Sequence, residues 1–159
     1  MISIISVLLL ISFVLLIVVL SAKKLRSYDS RYLFQDYEKT NLPYIKLNVQ
    51  GQYLNMLVDT CCAMSIISKD ALNGLEYKKS KRKVSLQALV SDDALLNVIK
   101  IPFTINDRQF EEEFAVYDTE DIAGFEEKHD ITIHGVLGSE FFNNTKCHID
   151  YNNHSITFP

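Results

Sequence analysis

The stretch "LVDTCCAMSIIS", Leu57 to Ser68, runs an apolar segment up to one aspartate, follows it with small residues and then turns apolar again. A carboxylate at the end of a buried strand is costly unless it is hydrogen-bonded or paired, so the surroundings of Asp59 decide what this chain is. Upstream, "YIKLNV" (Tyr44 to Val49) alternates Ile45, Leu47 and Val49 with Lys46 and Asn48. "QGQ" supplies a turn and "YLNMLVD" returns, which predicts a hairpin that delivers Asp59 into a loop. Downstream, Ser65 to Leu75 is expected to hold a strand end and a short helix closing at Gly74.

The same patterns continue to the C-terminus. "KVSLQALV" and "LLNVIKIPF" flank the polar tip "SDDA" (Ser91 to Ala94) as a second hairpin, and "FTIND" and "QFEEEFAVYD" form a third around Asn106, Asp107 and Arg108. "ITIHGVLG" reads as an apolar strand ending at Gly138. "SEFFNNTK" reads as a short helix with Ser139 as its N-cap. "CHIDY" and "HSITF" pair around Asn152 and Asn153, residues that tolerate the positive φ of a tight turn. Short strands with one or two brief helices predict a mainly β domain, a closed or partly closed barrel over residues 43–159.

With a formal charge of -4 and 48% hydrophobic residues, the composition suits one globular domain plus an unusually apolar segment. That segment is Met1 to Ala22, which carries no charge and as a helix would extend about 30 Å, enough for a bilayer core. No basic residue precedes it and Lys23, Lys24 and Arg26 follow, so the positive-inside bias predicts a single-pass N-terminal anchor in the lipid bilayer with a cytoplasmic C-terminal domain. Leu20, Ser21 and Ala22 leave a cleaved signal as the alternative. Residues 23–42 mix charges with Tyr28, Tyr32, Phe34 and Tyr37 and read as a juxtamembrane connector closed by Pro43.

Lys78, Lys79, Lys81, Arg82 and Lys83 read as a solvated loop, and the acidic stretch from Glu111 to Glu127 as solvent-facing; no nucleic-acid partner is expected. Cys61 and Cys62 are adjacent and Cys147 is the third cysteine, which does not make a disulfide framework. His129, His134, His148 and His154 have no metal-ligand spacing with these cysteines, so neither a metal nor a cofactor is expected.

The run Val58-Asp59-Thr60-Cys61-Cys62-Ala63-Met64-Ser65-Ile66-Ile67 resembles the active-site segment of retropepsin-like aspartic proteases, whose pattern is two apolar residues, Asp-Thr-Gly-Ala, two variable positions, then Ser and apolar residues. That family's second signature, two apolar residues and a glycine before a helix near the C-terminus, is matched by Val136, Leu137 and Gly138. The closing "CHIDYNNHSITF" is similar to the hairpin that ends its single-domain members. The departure is Cys61 in place of the glycine and Cys62 in place of the alanine. A Cβ and sulfur at position 61 would intrude on the site or force a different backbone angle.

The resemblance implies a retropepsin-like acid-protease β barrel and an aspartic endopeptidase acting on peptide or protein substrates. Such enzymes hold two carboxylates that share a proton, one activating water and the other protonating the carbonyl oxygen. One lobe supplies one aspartate, so the resemblance implies a homodimer in which Asp59 meets Asp59 of a second chain. Thr60 would support the loop, and Cys61 and Cys62 would lie against the substrate. Asp118-Thr119 also follows an apolar strand, but Glu120 and Asp121 would place charges where a barrel needs small or apolar groups. Three other readings remain open. The domain is a catalytically lost module that binds peptide, Cys61 and Cys62 serve redox, metal-responsive or nucleophilic chemistry, or Asp59 only caps its own turn.

Overall fold

The computed structural model describes residues 11–17, 31–85, 95–117 and 130–159. Residues 11–17 are helical and exposed. Among the described residues no helix is long and apolar enough to cross a membrane, and the expected span over residues 1–22 lies largely outside them.

The elements run β1 (Arg31–Leu33), α1 (Tyr37–Thr40), β2 (Tyr44–Val49), β3 (Gln52–Val58), β4 (Ile66–Ser68), a 3-10 turn (Asp70–Leu72), β5 (Lys78–Ser85), β6 (Leu95–Ile105), β7 (Arg108–Tyr117), β8 (Gly135–Leu137), α2 (Ser139–Thr145), β9 (His148–Asp150) and β10 (Ser155–Thr157). The fold is thus mainly β with short helices. Alternation sets the inward face: Leu54, Met56 and Val58 of β3 are buried in one core with Ile45, Leu47 and Val49 of β2. Gln50 and Gly51 both have positive φ, as a two-residue hairpin turn requires, and Asn48 Oδ1 accepts the Gly51 amide at 2.9 Å. The β6–β7 hairpin turns through Asn106, also at positive φ.

Seven strands form one sheet in the order β2-β3-β8-β4-β7-β6-β5. An extra pairing of Asn48 in β2 with Thr104 in β6 brings the sheet round on itself into a barrel. β6 pairs with β7 along one edge and on the other is long enough to serve two more partners, β5 along its first half and β2 near its end. Ile99, Ile101, Phe103 and Ile105 fill the core from β6, with Phe114, Leu137 and Phe141 in the same cluster.

Several local expectations are corrected. The basic run is not a loop: it is β5, paired with β6 across an irregularity between Lys79 and Lys83, while its cationic side chains stay exposed. The strand expected from Ile131 to Gly138 is only three residues long, Gly135–Leu137; just before it the His134 amide donates to the Asn55 carbonyl (2.9 Å) while the Asn55 amide donates to His134 Nδ1 (3.0 Å). Helix α2 has Gly138, not Ser139, at its N-cap. In the last hairpin the positive φ falls on His154 instead of Asn152 or Asn153, since the Asp150 carboxylate accepts both of those amides and organises the turn. Part of the expected connector joins the fold: β1 pairs with β10, and Phe34 and Thr40 are buried. The tip Ser91 to Ala94, Asp118-Thr119 and His129 lie outside the described residues.

Candidate active site

The site starts where β3 runs out. β3 pairs in parallel with β8, Leu57 opposite Val136 and Val58 opposite Leu137, and the Asp59 amide continues the ladder to the Leu137 carbonyl at 3.1 Å. On its other side β8 pairs with β4, Val136 opposite Ile66. β8 therefore inserts between the two strands that the Asp59 loop connects, so the loop must bridge over it. This brings together the segments 57–67 and 135–140, the two motifs singled out in the sequence.

Asp59 is half-buried, and Thr60 and Cys61 are exposed. Asp59 Oδ1 accepts the Cys61 amide at 2.8 Å, and the Asp59 carbonyl accepts the Cys62 amide at 3.3 Å. One carboxylate oxygen thus shapes the turn, as a turn-capping aspartate would. Cys61 is not among the residues with positive φ, so the backbone there has an angle open to any side chain and does not demand glycine. The Cys62 thiol donates to the Met64 carbonyl at 2.9 Å. Burial, reinforced by the Asp59 carboxylate, pushes that thiol above its ordinary range. A thiol held protonated is a poor nucleophile. All three cysteines are free, and among the described residues no cluster of His, Cys, Asp and Glu is arranged to hold a metal.

Helix α2 clamps the returning half of the loop. The Ser139 amide donates to the Cys62 carbonyl (2.8 Å) and the Glu140 amide to the Ala63 carbonyl (3.1 Å). Ser139 Oγ lies 3.0 Å from the Thr60 carbonyl and 2.8 Å from that of Cys62, sharing its hydrogen between them. The loop's carbonyls have taken the donors of the first helical turn, which is why Ser139 does not cap its own helix. Gly138 is required by space: a Cβ there would fall 2.5 Å from the Met64 carbonyl carbon and 2.8 Å from the Cys62 oxygen. Its amide donates to Ser65 Oγ (3.1 Å), and Ser65 in turn donates to Glu112 Oε1 (3.1 Å).

Glu112 was not anticipated. Expected to belong to an acidic, solvent-facing stretch, it is only 7% exposed. Burial drives its carboxyl up to about 7; the Ser65 hydroxyl opposes this, Glu140 and Glu113 add to it, and Arg82 opposes it. The period-two pattern Phe110, Glu112, Phe114 held the signal, because alternate residues of a strand share a face. Tyr151, in the β9–β10 turn, was also missed. Burial raises its phenol, as do Tyr37, Asp59 and Cys61, so that turn lies near the loop. A groove of about 570 Å³ lined by Gln50, Pro102, Phe103 and Phe110 lies by the β2–β3 turn, at the far end of β3 from Asp59.

No protein-family model matches the chain, and no curated protein matches it. Solved structures do. The crystal structure of the retroviral protease-like domain of Ddi1 from Leishmania major superposes with a TM-score of 0.54 at 13% identity, covering 74% of this chain and 87% of that domain. EIAV protease complexed with the inhibitor HBY-793 gives a TM-score of 0.43 at 15% identity over 65% of this chain and 86% of the protease. The chain has the fold of a retroviral protease-like domain.

Proposed function

We propose that this chain is an aspartic-type endopeptidase that works as a homodimer, each copy contributing Asp59. The observation that carries this reading is the place of Asp59 on a retroviral protease-like fold: at the end of β3, half-buried, in a loop clamped by α2. Across a two-fold axis the two carboxylates share one proton, because two adjacent like charges are costly. One takes a proton from water as that water attacks the peptide carbonyl, and the other protonates the carbonyl oxygen. The pair titrates as a unit. Thr60 supports the loop across the dimer, and the backbone of Cys61 and Cys62 lies along the substrate. Residues 1–22 anchor the chain in a bilayer, the connector leads from the anchor to β1, and the domain that starts there faces the cytoplasm.

The test is cleavage of a mixed peptide library by the full chain beside its Asp59→Asn variant. Asn keeps the shape of the side chain but cannot pass a proton, so cleavage is expected in the first and abolished in the second. Equal cleavage by both would remove Asp59 from the mechanism. A second reading, a peptide-binding module without catalysis, draws on the Asp59 Oδ1 bond to the Cys61 amide, which commits one carboxylate oxygen to the turn. Retention of library peptides without cleavage would favour it.

A further inference from the structure

Behind the Asp59 loop stands a buried acid that the proposed chemistry does not use. Ser65 lies beside β7, where its carbonyl accepts the Ala115 amide at 2.9 Å. Its hydroxyl bridges Gly138 and Glu112, making a chain from the Gly138 amide through Ser65 Oγ to Glu112 Oε1. Gly138 leads directly into the two α2 amides that hold the Cys62 and Ala63 carbonyls. The Glu112 carboxyl is therefore linked, through Ser65 and the start of α2, to the turn that carries Asp59.

The charges around Glu112 are unbalanced. Its own strand supplies Glu113, α2 supplies Glu140, β5 supplies Arg82, and the loop supplies only the Ser65 hydroxyl. β6 places Ile101 opposite it, and Lys100 of that strand pairs with Glu111 at 2.8 Å. Arg82 is already shared between Glu113 (3.4 Å) and Glu140 (3.1 Å). A proton on Glu112 Oε2 leaves a neutral carboxyl whose Oε1 still accepts from Ser65. Loss of that proton to water puts a third carboxylate around one guanidinium in a buried setting, where an under-compensated charge is expensive.

We propose that Glu112 is a proton-operated positioning residue for Asp59, holding Ser65 and the loop against α2 while it is protonated and releasing them when it ionises. The carboxyl's rise to about 7 sets the change near neutrality. Ionisation strengthens the Ser65 hydrogen bond but leaves an under-compensated charge in a buried setting, so the arrangement opens as a unit towards water, and the Gly138 amide and the α2 clamp lose their anchor. The consequence for catalysis rests on the proposed role of Asp59; the movement of the loop does not.

The test is amide hydrogen exchange of the full chain from pH 6 to pH 8, divided by the intrinsic rate at each pH, read at Gly138, Ser139 and Glu140. Protection in the unmodified chain is expected to fall about tenfold over this range. Glu112→Gln keeps an acceptor for Ser65 and has no proton to lose, so its protection is expected to stay flat, and a merely structural role for Glu112 would leave the two profiles parallel. Parallel profiles, or protection that rises with pH only in the unmodified chain, would overturn the proposal. Peptide cleavage measured in the same samples separates the two ideas. pH-dependent exchange without Asp59-dependent cleavage keeps the positioning role and removes the peptidase, whereas Asp59-dependent cleavage with flat exchange does the reverse.

Discussion

Replacing Gly138 by alanine tests whether α2 clamps the Asp59 loop. The added Cβ would lie 2.5 Å from the Met64 carbonyl carbon, 2.6 Å from its oxygen and 2.8 Å from the Cys62 oxygen. Ordinary contact begins at about 3.4 Å, so the overlaps are about 0.6 to 0.9 Å. All three atoms are backbone and cannot swing aside as a flexible side chain would. Gly138 has φ -95, an angle any residue adopts, so the cost is steric alone. Overpacking costs about 1–3 kcal/mol, and fixed backbone neighbours put this site near 3 kcal/mol. Gly74→Ala is the control: nothing lies within 4 Å, but its φ of +79 carries about 1 kcal/mol of strain. In urea denaturation of the full chain, a loss near 3 kcal/mol lowers the midpoint by roughly 1 to 3 M. If Gly138→Ala proved no less stable than Gly74→Ala, the reasoning that α2 and the loop are locked together at this point would fail.

Three further outcomes are expected. Glu112 is raised from 4.5 to about 7 in the folded chain, so the native state binds its proton more tightly; this stabilisation is complete below pH 4.5 and is lost as pH climbs through 7, up to about 3 kcal/mol. Denaturation of Glu112→Gln should lack that fall, and identical pH profiles would refute the assignment. On the proposed function, which sets Cys61 along the substrate, Cys61→Gly should raise kcat/KM on one cleavable peptide by removing bulk there, whereas a tenfold fall, about 1.4 kcal/mol, would show that Cys61 has a positive role. A chain beginning at Arg31, which retains β1, should lose activity per chain on dilution while the full chain in vesicles keeps it, because confinement raises the effective concentration of one half-site around the other; dilution-independent activity in both would contradict membrane-assisted assembly.

The hairpins Tyr44 to Val58 and Phe103 to Tyr117 were legible because alternation and turn chemistry act over a few neighbouring residues, but that Leu95 to Ile105 is one continuous strand was not. The loop position of Asp59 followed from the same local rules, and the link to Gly138 came from the resemblance to a known family. Three other features depended on competition between distant groups. Ser139 fits an N-cap by type, but the Thr60 and Cys62 carbonyls claim its hydroxyl. Asn152 and Asn153 tolerate positive φ, but Asp150 takes their amides and the angle passes to His154. Glu112 carried two opposite signals, an inward phase and an acidic neighbourhood, and only the Ser65 contact resolves them in favour of burial.

Residue order alone thus determined the alternating strands of the hairpins, the turns that join them at Gln50-Gly51 and Asn106, and that one aspartate closes an apolar strand. Tertiary structure decided that β8 inserts between β3 and β4, that β1 pairs with β10, and that a buried glutamate stands behind the Asp59 loop. The physical reason is range. Side-chain periodicity and turn angles are written within a few residues, but strand order and the ownership of each hydrogen bond are settled only when segments far apart in the chain compete for the same donors and acceptors.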